Sequence, residues 1–120
     1  MKNKLLLVIA IYIFNFSATG VWAADVNFGD AKVALVETRT AAWGSWLILT
    51  LNDSTGNRIM KLCDTAGDKA AIALSLNDPA AKAVMAIALT AKATGKTVTG
   101  WGIDPPQGGW CGIGNFAIYP

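Results

Sequence analysis

The chain has 120 residues, two cysteines and no histidine. That is one domain's worth of sequence, without the side chain most often used as general base and metal ligand. Its formal charge of +2 rests on Lys2 and Lys4; without them eight basic residues face eight acidic ones, a balance that leaves no electrostatic footprint for nucleic acid.

The N-terminus reads as a secretory signal peptide. Lys2 and Lys4 make a basic start, and Leu5 to Ile13 is an unbroken apolar run extended by Phe14 and Phe16. Ser17, Thr19 and Gly20 then loosen the chain ahead of Val21-Trp22-Ala23. Cleavage is expected after Ala23, because a cut after Ala24 would put bulky Trp22 at the −3 position. A membrane anchor would need a run nearer ~20 residues, and no cysteine lies near the cut to take a lipid. Residues 1–23 are thus expected to leave, and 24–120 to form one exported domain, secreted or periplasmic, without stable membrane insertion. In an oxidising compartment Cys63 and Cys111 have a single intramolecular pairing open to them. Their wide separation is unlike the Cys-x-x-Cys of redox pairs, so a structural disulfide is predicted.

Lys32 to Thr40 is rich in β-formers, with Val33, Leu35 and Val36 at its apolar end. The chain can turn at Gly44, and Trp46 to Leu51 is a second strand with apolar residues on both faces, the pattern of a strand covered on both sides. Asn52 to Asn57 is a turn cluster, in which Asn and Asp bond local backbone and Gly56 accepts positive φ. Arg58 to Cys63 reads as further strand and Asp64 to Asp68 as loop. Lys69 to Leu76 alternates Ile72, Leu74 and Leu76 against small residues.

Asn77-Asp78-Pro79 supplies a helix cap followed by proline, tolerated at the first helical position where its missing N–H has no partner. The predicted helix runs from Ala80 to Thr94 and stops at Gly95. Val84, Ile87 and Ala91, with Ala80 and Ala88, form its apolar stripe, and its seven alanines let it lie close to a sheet. Met85 and Leu89 stand one turn apart on another flank, either as the edge of a wide core face or as a subunit contact. Lys96 to Ile103 reads as a strand, Asp104 to Gly109 as a loop stiffened by two prolines, and Gly112 to Tyr119 as the closing strand. The order of three or four strands, one helix and two strands is that of an OB-like five-stranded barrel, mainly β, with its helix between strands 3 and 4.

The segment from Asp78 to Trp101 adds a narrower likeness. A capped helix ending in Ala93-Thr94-Gly95-Lys96-Thr97-Val98, then a strand and a late cysteine, resembles the pentameric receptor-binding subunits of subtilase-cytotoxin-type bacterial toxins. It is similar also to a broad group of small secreted bacterial proteins with the same helix, Thr-Gly-Lys-x-Val strand and cysteine pair. The likeness covers roughly the C-terminal half. It implies an OB-like fold, a ring-forming homo-oligomer and glycan binding. The toxin subunits bind glycan through polar residues near the first strand; Asp30 lies in that region, but its surroundings do not reproduce the motif, and no binding residue is carried over.

Catalytic and metal motifs are missing from the sequence. Glu37, the sole glutamate, has Arg39 two residues along a strand, which reads as a surface ion pair. Asp53, Asp64, Asp68, Asp78 and Asp104 all fall at turns or caps, where aspartate has a structural task. The expectation is a non-catalytic binding module without cofactor or metal. Aromatics are its remaining candidates: Trp43 and Trp46 flank the first hairpin turn, and Trp101 and Trp110 flank the loop between the last two strands. In OB barrels those two loops border the ligand face, and indole offers a large rigid surface with one donor. Trp43, Trp101 and Trp110 are therefore the ligand-binding candidates, with Trp43 and Trp110 expected to be exposed and Trp46 buried; each also competes with a plain core role. The leading reading is a toxin-B-subunit-like glycan binder. The alternative is a periplasmic stress or envelope protein that binds a small molecule or a protein partner.

Overall fold

The computed structural model describes residues 26–40, 44–64 and 68–120, with backbone alone at 105–107. The expected signal peptide and Trp43 lie outside these residues. The elements are β1 (Val26–Arg39), β2 (Trp46–Asn52), β3 (Asp68–Ser75), α1 (Ala81–Thr94), β4 (Val98–Gln107) and β5 (Trp110–Ile118). The strands close into a barrel in the order β1-β2-β3-β5-β4, with every pair antiparallel except β3 and β5. This is the OB-like barrel, mainly β, with its helix between the third and fourth strands.

β1 serves two neighbours. Val26 to Ala31 pairs with β4, and Lys32 to Arg39 pairs with β2. Register shifts between Phe28 and Ala31 and between Val33 and Leu35 bend it around the barrel, and Asp30 takes a positive φ of 50° at the first of them. The strand thus begins six residues before the predicted Lys32, because Gly29-Asp30 looks like a turn in sequence but is a bulge within one strand. Inside the barrel, Phe28 and Val33 meet Leu47, Leu49 and Leu51, then Ile72, Val98 and Phe116. Ala81, Val84, Ala88 and Ala91 of the helix are buried.

Further boundaries differ from the sequence reading. Arg58 to Cys63 is a connector instead of a strand: Ile59 N–H bonds the Leu51 carbonyl at 2.9 Å and Leu62 N–H the Lys69 carbonyl at 2.7 Å, which lets Leu62 and Cys63 plug the core. The helix starts at Ala81, and Asp78 caps the turn before it by accepting the Ala80 N–H at 2.8 Å; Ala80 is exposed and Ile87 half-buried. β4 continues through Gln107, so Asp104 to Gln107 belongs to a strand; its register with β5 breaks between Ile103 and Gln107, across prolines that bring no N–H to a ladder. The turn shrinks to Gly108-Gly109, both at positive φ, and β5 begins two residues early at Trp110. On the helix, Met85 packs at the core's edge, while Leu89 is 49% exposed. Among the described residues no helix is long and apolar enough to cross a membrane.

Cys63 and Cys111 are joined in a disulfide across 48 residues, with both half-cystines buried. Constraining a loop of that length stabilises a fold by about 4 kcal/mol in the chain-entropy model. The variant Cys63→Ser/Cys111→Ser should lose about that much in urea unfolding, and unreduced digests of the native protein should yield one linked peptide.

The turn after β2 carries a second expectation. Asp53 Oδ1 accepts the Thr55 hydroxyl at 2.6 Å and the Thr55 and Asn57 N–H groups at 2.9 and 3.0 Å. The Thr55 hydroxyl, then the Asn57 amide, hold its pKa below the ordinary aspartate value. A depressed folded pKa contributes stability that is present above the unfolded value and is lost as pH falls through the folded one. An NMR titration should put the Asp53 midpoint below 3.8, and Thr55→Ala should raise it.

Candidate ligand groove

Alternation along β2 decides what meets on the outside of the barrel. Leu47, Leu49 and Leu51 enter the core, so Trp46, Ile48, Thr50 and Asn52 face outward. The register sets Arg39, Glu37 and Leu35 of β1 beside Trp46, Ile48 and Thr50, and Ser75 and Ala73 of β3 on the other flank. Small residues on β3 leave a concavity of about 360 Å³, with Ile48, Thr50 and Ala71 among its lining and Glu37, Arg39, Arg58, Asp68 and Trp110 around them.

Trp110 enters from the start of β5. Its ring lies 6.1 Å from that of Trp46 at an interplanar angle of 60°, and the two pack over Ile48, Ala71 and Ala73. Ile48 is consequently 3% exposed although it faces away from the core. The two-sided apolar pattern of β2 is met here, with two indoles as the outer cover. The Arg39 guanidinium sits 5.4 Å from the Trp110 ring centroid, and its Nε donates to Glu37 Oε1 at 2.7 Å. Such a half-exposed pair adds little stability; its effect is to hold one guanidinium against the indole, a contact worth about 0.5–1 kcal/mol at an exposed site. Arg58 spends one donor on the Ala70 carbonyl at 3.4 Å, and Asp68 accepts the Ala70 N–H at 3.0 Å. The groove therefore offers two guanidinium groups, two carboxylates, a hydroxyl and an indole, with Leu35, 48% exposed, as its apolar wall.

Trp46 also ties two loops together. A Cβ on Gly44 (φ 79°) would stand 2.6 Å from the Trp46 Nε1, and one on Gly108 (φ 53°) 2.8 Å from its Cε2 and Cζ2. The 1–2 and 4–5 connections meet at this indole, which is half-buried instead of buried as expected.

Of the residues singled out in sequence, Trp110 lines the groove, though half-buried where exposure was expected. Trp101 stands apart on β4 between Asn27 and Asn115, and Met85 and Leu89 are on the helix. Glu37, Arg39, Arg58 and Asp68 are the groove residues that sequence reasoning missed. The signal for the first two was available: residues 37 and 39 share a face of β1. Arg58 and Asp68 gave none, because a connector brings Arg58 there and the pairing of β3 with β5 brings Asp68. Among the described residues no group of three His, Cys, Asp or Glu is placed to hold a metal. Comparison with protein-family models, curated proteins and solved structures finds no match.

Gly108→Ala meets both the positive φ and the Trp46 ring, and overpacking of this kind costs about 1–3 kcal/mol. It should lower the melting temperature and shift tryptophan emission. Gly29→Ala, with nothing within 4 Å of its Cβ position, should do neither.

Proposed function

We propose that this chain is an exported, non-catalytic binding module whose outer groove recognises a glycan. The observation that carries the reading is Trp110 with Arg39 held over it, at the wall of a groove lined by guanidinium, carboxylate and hydroxyl groups. A pyranose has an apolar C–H face suited to an indole and a rim of hydroxyls suited to guanidinium and carboxylate groups. The groove lies on the strand face that OB barrels use for oligosaccharides, next to the 1–2 and 4–5 loops. Glu37 and Asp68 each have a local partner, and we read them as recognition groups. A buried disulfide suits an oxidising compartment; with the signal-like N-terminus it supports a secreted or periplasmic location. The toxin-subunit likeness supports the same ligand class and adds a pentameric ring, for which Met85 and the exposed Leu89 are the contact candidates. The alternative, a protein or small-molecule partner in the same groove, draws on the exposed Leu35.

Because Trp110 also covers Ile48, its truncation lowers stability and binding together. The discriminating variant is Arg58→Ala, in which a charge-assisted hydrogen bond is lost from an exposed side chain. On a glycan array the 24–120 protein should bind, and Arg58→Ala should weaken that binding about tenfold at an unchanged melting temperature. No glycan bound by the wild type, or equal binding by the variant, removes the reading.

Ring assembly is tested separately by light scattering. The 24–120 protein should scatter as an oligomer at tens of micromolar, and Met85→Glu/Leu89→Lys should yield a folded monomer. A monomeric wild type removes the ring and leaves the groove reading standing.

A further inference from the structure

A second outward surface is built around Trp101. Val98, Gly100 and Gly102 of β4 are buried, so Thr99, Trp101 and Ile103 lie on its outer side. The β4–β5 register slips between Trp101 and Gly102, and Gly114 is left beside the indole. A Cβ there would stand 2.0 Å from the Trp101 Nε1 and 2.3 Å from its Cδ1. Glycine alone lets the half-buried ring settle onto the β5 backbone.

The same pairing sets Asn27 of β1 on one side of Trp101 and Asn115 of β5 on the other, both exposed. Directly paired residues hold their Cβ atoms about 4.5–5.5 Å apart, so the indole is flanked by an amide at one strand spacing in each direction. Among the described residues neither amide is engaged by the rest of the fold. Gly29, Thr99 and Ala117 continue the surface, and none of these described residues is charged.

We infer that this surface binds a neutral pyranose ring. Among the described residues, those that the register pairs with Trp101 are both amides, so a carboxylate or phosphate would find no cation there. An apolar partner would bury two amides without hydrogen bonds, a penalty that selects against it. A sugar satisfies both demands: its C–H face covers the indole, and each amide, with two N–H donors and one acceptor oxygen, meets neighbouring hydroxyls. The inference does not rest on the groove reading, since the two surfaces, though both draw on β1 and β5, share no residue and differ in charge.

The test is a titration of ¹⁵N-labelled 24–120 protein with methyl β-glucopyranoside, lactose and N,N′-diacetylchitobiose as probes. At least one should shift the Trp101 indole N–H and the Asn27 and Asn115 side-chain amide resonances together, saturating in the millimolar range. Half-molar sodium chloride should leave the affinity unchanged, since no ion pair is involved. Trp101→Ala should abolish the shifts, and Asn27→Ala or Asn115→Ala should weaken them about three- to tenfold. The exposed asparagines carry the test even where Trp101→Ala does not fold. Arg58→Ala, which strikes the groove, should leave these shifts intact, so the two sites fail separately. Resonances unmoved at tens of millimolar sugar overturn the inference. So does movement of the same three on concentrating the protein without sugar, which would assign the surface to a second copy of the chain.

Discussion

The barrel depends on its parallel seam. β3 and β5 meet at two described register positions, Asp68 with Trp110 and Ile72 with Cys111, and parallel pairing is slightly weaker per residue than antiparallel. Other bonds reinforce it. Asp68 N–H donates to the Gly109 carbonyl at 2.9 Å, Leu62 N–H ties the connector to Lys69 of β3, and the Cys63–Cys111 disulfide joins connector to β5. Trp110 is the residue at which β5 joins the seam. The aromatic wall of the groove is therefore a product of closure, and what holds the barrel shut also sets the indole in place.

No charged or polar residue is buried among those described. The interior is apolar, drawn from alternate positions of each strand and from one slim helix face. The ionisable groups among the described residues thus lie at least partly exposed, at the surface of the barrel. The chemistry of this chain lies in the way the outward positions are grouped. β1, β2 and β3 collect arginine and carboxylate around two indoles, whereas β1, β4 and β5 collect amides around one.

Much of the architecture is legible in the sequence because it follows from local rules. The alternating Leu47, Leu49 and Leu51, the Asn52–Asn57 turn and the Gly95 stop each declare themselves within a few residues. What stayed hidden depends on distant partners. Val26 to Ala31 becomes strand because β4 pairs with it, and Arg58 to Cys63 loses its strand character because it crosses the barrel instead of joining it. The site follows the same division. Trp110 stands out by type and loop position, but its partners Arg39, Arg58 and Asp68 come from three different segments. Nothing local links them, since their proximity arises from the register of β1 on β2 and the path of the connector.

The indole of Trp46, wedged between Gly44 and Gly108, gives the groove a particular evolutionary character. In many binding folds the loops are free to lengthen and vary, and specificity changes through insertions on a fixed scaffold. Here the two loops beside the groove share one ring as a common spacer, so a change in either is felt by the other and by Trp110. New recognition on this face is reached most readily by exchanging side chains along the walls, at Leu35, Thr50, Arg58 and Asp68. The outline of the groove would persist while the ligand proposed for it changed.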